Sequence, residues 1–293
     1  MKIKKITLIV PAYNEADNLR NLIPQWLAFC RKNDYMLIII NDGSYDNSRV
    51  ILDKYKHEKW LKIVHHKMNR GYGAALKTGI IHAQTEYAVF LDADGQHELT
   101  DVVLLYRKLL QQDADMIVGS RLHLKSASLF RGLGKWIIRR VAKILLPIKI
   151  NDINSGMKLF KTALAKKYIS VCPDSMSFSD IIVLVFVNQG NFVIEHPITV
   201  RQRSMGRSTI RIRTAFETLW EILNITVLFR PMKVFLPLSI IFTTAGILWE
   251  IPILLAKKGL SMGAGLIIII GLGCLVLGLI AEQLSTIMKM KIQ

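Results

Sequence analysis

Tyr87-Ala88-Val89-Phe90-Leu91-Asp92-Ala93-Asp94-Gly95-Gln96-His97 is the stretch on which the reading of this chain turns. Five apolar residues stop at two carboxylates set two positions apart, followed by glycine: a buried strand running out into a polar loop. The same pattern recurs upstream. Ile6–Val10 is a β-branched run closed by Pro11, Leu37–Ile40 leads into Asn41-Asp42-Gly43-Ser44, and Leu61–His65 precedes Asn69-Arg70-Gly71-Tyr72-Gly73. Between these runs lie helical patterns. Ala16–Cys30 places Leu19, Leu22, Ile23, Trp26, Leu27 and Cys30 on one face, and Ser48–Tyr55, Gly73–Ala83 and Leu99–Gln111 follow, with Met116–Gly119 as a fifth strand. Strand and helix alternating over short connections predict an α/β fold, a Rossmann-like, mostly parallel sheet with flanking helices. Ligands of such sheets gather beyond the carboxyl ends of the strands. Glu15, Asp42, Asp92 and Asp94 all fall there.

The rest of the chain divides by polarity. Hydrophobic residues make up 51% of 293, and the excess lies at the end. Val234–Ala256 and Leu260–Met288 are each long enough to span a bilayer, which takes roughly 20 apolar residues, and Lys257-Lys258-Gly259 makes a turn between them. The expected organisation is a cytoplasmic domain over 1–210, an amphipathic juxtamembrane helix over 211–233 and a transmembrane hairpin over 234–293. Arg211, Arg213, Arg230 and Lys233 precede the hairpin and Lys289 and Lys291 follow it, which predicts both termini on the cytoplasmic side. The apolar run at the start is too short for a signal peptide. Gly132–Pro147 and Arg211–Phe229 carry apolar residues at helical spacing with basic flanks. They read as interfacial helices or, alternatively, as ordinary core-packing ones. Glu250 and Glu282 read as side chains snorkelling to an interface, with a helix–helix or subunit contact as the alternative.

Net charge is +17, and the hairpin's four lysines and two glutamates leave fifteen of these charges on residues 1–233. A positive domain beside a membrane points to anionic partners. No nucleic-acid module is present, so nucleic acid is not among the expected partners. Cys30, Cys172 and Cys274 lie too far apart in sequence for a metal or disulfide spacing. The hairpin offers surface for a homo-oligomer.

Two carboxylates at i and i+2 in a strand-end loop suit one hard divalent cation whose remaining positions are filled by phosphate oxygens, and Gln96 adds a neutral oxygen. Such a cation neutralises charge on a departing diphosphate. Asp-x-Asp also occurs in plain solvated turns, so the position beyond a buried strand is what favours the functional reading. Asp42 reads either as a contact to a base or ribose or as the acceptor for its own turn. The glycines of 69–73 open a helix and suit close approach of a phosphate. No dinucleotide or Walker fingerprint is present.

Taken in order, Val10-Pro11-Ala12-Tyr13-Asn14-Glu15, Asn41-Asp42-Gly43-Ser44, Asn69-Arg70-Gly71-Tyr72-Gly73-Ala74-Ala75, Leu91-Asp92-Ala93-Asp94-Gly95-Gln96-His97 and Gly119-Ser120-Arg121 resemble the family-2 glycosyltransferases of the GT-A fold. Within them the chain is similar to dolichyl-phosphate mannose synthases and bacterial polyprenyl-phosphate glycosyltransferases. Asp152-x-x-Ser155-Gly156-Met157-Lys158 and Pro197-Ile198 through Arg203, Gly206 and Ser208 resemble two further blocks. The likeness covers about residues 6–230.

The resemblance implies inverting transfer of one sugar from a UDP- or GDP-linked donor to a polyprenyl or dolichyl phosphate at the cytoplasmic face, with Mg²⁺ or Mn²⁺. By position, Pro11, Tyr13, Glu15, Asp42, Asp92 and Arg203 hold the nucleotide sugar, and Asp92, Asp94 and Gln96 the metal. Arg121, Arg131 and Ser155 meet the acceptor phosphate, and Asp94 and Asp152 are catalytic. Asp152 acts as base for a hydroxyl acceptor or only orients an anionic one. Met157-Lys158 stands where Phe-Arg is usual, keeping charge without the bidentate fork. Lys135 and Thr209 also depart from the pattern, where a small hydroxyl residue and a lysine are frequent. The rival expectations are a different lipid or glycan acceptor, a nucleotidyltransferase, and a non-catalytic membrane partner.

Overall fold

The computed structural model describes residues 5–121, 150–199, 220, 223–224, 226–257 and 259–292, and the chain divides into two compact units. The first carries β1 (Ile6–Ala12), α1 (Ala16–Asn33), β2 (Met36–Asn41), α2 (Ser48–Asp53), β3 (Leu61–His65), α3 (Tyr72–His82), β4 (Tyr87–Phe90), α4 (Leu99–Gln111) and β5 (Met116–Ser120). It continues with β6 (Lys158–Lys161), α5 (Thr162–Tyr168), a 3₁₀ turn at Ile169–Val171, α6 (Phe178–Asn188) and β7 (Val193–Pro197). The sheet has seven strands in the order β3-β2-β1-β4-β6-β5-β7. Only β6 runs against its neighbours β4 and β5; the other pairings are parallel.

The expected strands are all present, and their bounds differ for local reasons. Pro11 was expected to stop β1, yet the strand runs on to Ala12. Pairing with β4 ends at Ile9, so beyond that point β1 has a strand neighbour only on the β2 side, where Pro11 lies opposite Ile40. A missing N–H is tolerated where one side of a strand is unpaired. Helix α1 outruns its expected end at Cys30 and closes at Asp34 in a left-handed conformation (φ 59°), whose N–H, like that of Tyr35, returns to the carbonyl of the last turn.

Ile6, Leu8, Val10, Leu37, Ile39, Val89, Ile117 and Leu159 bury their side chains against Leu19, Ile23 and Trp26 of α1 and Val102, Leu105 and Leu109 of α4. On the other face Phe90, Phe160, Phe178 and Phe186 stack at tilted or edge-on angles, with ring centroids 4.6–6.4 Å apart. This two-sided burial fixes the register, so the carboxyl ends of β1, β2, β4 and β5 release their loops at one edge.

The second unit contains α7 (Met232–Leu255) and α8 (Met262–Ile292), both long and apolar enough to cross a membrane. Gly246 lies under Ile268, Gly271 against Thr243 and Gly278 against Phe235, so the two backbones approach through small residues. Both oxygens of Glu250 accept the Ser261 N–H at 3.1 Å, closing the turn ahead of α8. The stretch Gly132–Pro147 and most of Arg211–Phe229 lie outside the described residues, as do Arg131, Lys135, Arg203 and Thr209.

Candidate active site

Leu91 is the last buried residue of the β4 run, and its N–H bonds to the Ile9 carbonyl. Asp92 therefore emerges at a fixed height above the sheet. Its Oδ1 accepts from the Tyr72 hydroxyl (3.0 Å) and its Oδ2 from His97 Nε2 (3.3 Å), while about a third of the side chain, 34%, faces solvent. Burial works against this charge. Hydrogen bonds from His97 and Tyr72 and the nearby charge of Lys158 outweigh it and hold Asp92 below the usual carboxylate range. Tyr72 shifts the other way, pushed well up by burial and by Asp92, so it stays a proton donor. Gly95 turns the loop at φ +72°, and the Gln96 N–H returns to Asp94 Oδ1 at 3.1 Å.

The donor chemistry fits a divalent cation. Among the described residues no cluster of three His, Cys, Asp or Glu side chains forms a closed metal cage. Two carboxylates on one loop, one of them held ionised, are what a hard cation needs when its remaining ligands arrive with a diphosphate. Asp92 and Asp94 would hold such an ion.

Asp152 lies on a loop before β6 and is 8% exposed. Arg121, the residue after β5, grips it with Nε on Oδ2 (3.0 Å), Nη2 on Oδ1 (3.1 Å) and its own backbone N–H on Oδ2 (2.8 Å). Burial raises the carboxyl's pKa, and the Arg121 bonds and charge more than reverse this, leaving Asp152 below the usual range. An unfolded aspartate titrates near 3.9. A group depressed in the folded chain contributes stability that is fully present above that value and lost as pH falls through the folded one. The melting-temperature gap between wild type and Asp152→Asn is therefore expected to narrow on going from about pH 6 to about pH 3. A constant or widening gap would show that the pair is not holding the charge.

The other expected site residues separate into two groups. Asp42 is 3% exposed and accepts three donors: His66 Nδ1 (2.6 Å), Arg70 N (3.0 Å) and Gly71 N (2.9 Å). It ties the 66–71 loop to the end of β2 rather than serving the backbone of its own turn. Ser155 is fully buried with its Oγ accepting from Met157 N, inside the loop. Glu15 receives Asn18 Nδ2 at 2.6 Å. Pro11 is buried within β1, and Tyr13 is half-exposed beside Tyr45, with ring centroids 5.5 Å apart and the two hydroxyls bonded. Four bonds stitch these two loops together: Asn14 N to Ser44, Glu15 N to Ser48, Ala16 N to Asp46 and Tyr45 N to Asn14.

Sequence reasoning assigned no role to Tyr72, His97, Gly156 or Glu195 and marked Lys158 only as a departure. Lys158 is fully buried, with its ammonium on the Ser155 carbonyl and Ser179 Oγ, and burial pushes its pKa down to about 8. Tyr72 and His97 stand within quoted motifs. No sequence signal singles out Glu195.

The glycosyl transferase family 2 model matches residues 7–169, and the GtrB C-terminal hairpin model matches 230–287. The chain is 26% identical over 247 residues to a dolichyl-phosphate beta-glucosyltransferase of Trichomonas vaginalis, covering 76% of this chain and 71% of that one. It is 24% identical over 300 residues to the undecaprenyl-phosphate 4-deoxy-4-formamido-L-arabinose transferase of Photorhabdus laumondii, covering 98% and 90%. In fold it is similar to glucosyl-3-phosphoglycerate synthase of Mycobacterium tuberculosis, solved with Mn²⁺, UDP-glucose and phosphoglyceric acid (TM-score 0.58, 16% identity, 76% of this chain and 80% of that one). The GT-A architecture is borne out, and the matched hairpin with its two apolar helices marks the protein as membrane-associated. With more than half its length inside the family model, the chain belongs to glycosyl transferase family 2 and is a glycosyltransferase.

Proposed function

We propose that the chain transfers one sugar, with inversion, from a UDP- or GDP-sugar to a polyprenyl or dolichyl phosphate at the cytoplasmic membrane face. The observation that carries this reading is the Asp92/Asp94 loop at the sheet's carboxyl edge, in a chain that also bears the two-helix hairpin. A long apolar acceptor stays in the bilayer, so an anchored enzyme meets its headgroup without extracting it. The names of the two relatives, both polyprenol-linked sugar transferases, support the acceptor class. Basic residues Arg230, Lys233, Lys289 and Lys291 against Lys257 and Lys258 support cytoplasmic termini.

The chemistry asks little of a base. A lipid monophosphate is already anionic at neutral pH, so its oxygen attacks the anomeric carbon without giving up a proton. Asp152, with both oxygens on Arg121 and its pKa lowered, is a poor proton acceptor and a good orienting group. Asp92 and Asp94 would hold a divalent ion, which when bound would supply the positive charge that eases departure of the nucleoside diphosphate. Tyr72 and His97 keep Asp92 ionised and aimed.

The test is a donor screen with full-length protein in nanodiscs, Mg²⁺ or Mn²⁺, and labelled UDP-glucose, UDP-N-acetylglucosamine and GDP-mannose. A short polyprenyl phosphate is compared with diacylglycerol as acceptor. Label is expected in a polyprenyl-linked product with release of nucleoside diphosphate. Label in diacylglycerol, or release of pyrophosphate, would overturn the proposal.

A further inference from the structure

Asp152 and Arg121 hold each other, and a third residue holds the backbone from which Asp152 projects. Glu195 lies in β7, which pairs parallel to β5 with Val118 opposite Glu195 and Ser120 opposite Pro197. That register sets Glu195 a few residues below the point where Arg121 leaves the sheet. Its carboxylate collects three donors from two consecutive residues of the loop: Asn151 N (2.9 Å) and Asn151 Nδ2 (3.1 Å) on Oε2, and Asp152 N (3.0 Å) on Oε1. Asp152 is thus fixed at its backbone by Glu195 and at its carboxylate by Arg121, whose Nη2 also reaches the Asn154 carbonyl at 2.8 Å. The same loop continues to Gly156, which lies against Asp92.

We propose that Glu195 is a positioning residue for sugar transfer, clamping the Asn151–Asp152 turn so that the Asp152–Arg121 pair stands in register with the Asp92 loop. This rests on the reading of Asp152 given above and extends it to a residue that touches no substrate. The chemistry explains the choice of an acid. Three N–H groups converging on one side chain need an acceptor with no donor of its own, and charge-assisted bonds of this kind are the strong ones. A glutamine there would turn its NH₂ against at least one of those N–H groups. A loop displaced by about 1 Å from a reacting centre costs on the order of 100-fold in rate.

The experiment is a double-mutant cycle in the full-length enzyme with Glu195→Gln, Asp152→Asn and the pair, reading kcat for lipid-linked product and donor Kd by calorimetry. Glu195→Gln is expected to lower kcat by about 10- to 100-fold, with donor Kd within about threefold of wild type. In the Asp152→Asn background it is expected to add little, because residues acting as one unit are strongly non-additive. Normal kcat in Glu195→Gln overturns the clamp, and so do losses that multiply in the pair. Loss of donor binding in Glu195→Gln overturns it too, since the residue would then hold the fold and not the turn. Near-normal kcat in Asp152→Asn alone sinks the catalytic reading of Asp152 and, if Glu195→Gln is impaired, the route through it.

Discussion

Turnover of the Asp94→Ala enzyme is expected to fall about a thousandfold, to the background of the assay, with its melting temperature close to wild type. The two halves of that expectation have separate grounds. Structurally, Asp94 is half-exposed, and its side chain receives the Gln96 N–H across a turn that Gly95 makes anyway, so the loop retains its course in the variant. Electrostatically, the loop offers two carboxylates to an ion facing a diphosphate, and removing one halves the protein's share of the ligands. Asp92 alone leaves the ion a single carboxylate, and its bonds from Tyr72 and His97 fix its direction, so it cannot swing to take the place of Asp94. Binding of Mn²⁺ in the presence of nucleoside diphosphate should weaken in parallel with turnover. An Asp94→Ala protein that transfers sugar at close to the normal rate would remove this loop from the chemistry.

What could be read from the sequence was governed by how locally each feature is written. Four of the first five strands announce themselves because buried apolar runs give way at Pro11, Asn41, Asp92 and Gly119, and Glu15, Asp42 and the Asp92/Asp94 pair stand at or just behind the first three of those points. The last two strands were not assigned. β6 reads Lys-Leu-Phe-Lys, and a lysine at 158 suggests a surface, whereas its ammonium is buried on Ser155 and Ser179. Helix α6 is apolar almost throughout, and nearly all its residues are buried, so it shows no amphipathic period. The support of the site was hidden for a different reason. Arg121 and Asp152 are 31 residues apart, Asp152 and Glu195 43, and only the sheet's pairing order brings them together. Asp42 shows the opposite limit. Its motif was legible, but its partners His66, Arg70 and Gly71 lie on the loop after β3, which the sequence around Asp42 does not announce.

Gly156→Ala is expected to lower kcat by 100-fold or more while leaving every proposed metal-holding and catalytic side chain in the sequence unchanged. A Cβ at this position would overlap Asp92 Oδ2, stand 2.9 Å from Asp92 Cγ and come within 3.1 Å of His97 Nε2. Something has to yield, and the alternatives are unequal. Gly156 leads directly into Met157 and β6, which is hydrogen-bonded on both sides to β4 and β5 and cannot retreat. The Asp92 side chain can rotate, but doing so breaks its bonds to both Tyr72 and His97, and those bonds keep it ionised and directed at the loop's open face. Overpacking of this kind costs about 1–3 kcal/mol in stability, so the protein should still fold while the Asp92 carboxylate points elsewhere. The loss should therefore appear in kcat and in Mn²⁺ dependence more than in melting temperature. Because Gly156, Asp152 and Glu195 belong to one loop and its clamp, Gly156→Ala also asks whether that loop sets the Asp92 geometry. Unchanged turnover in this variant would mean that Asp92 does not need its present position for the reaction.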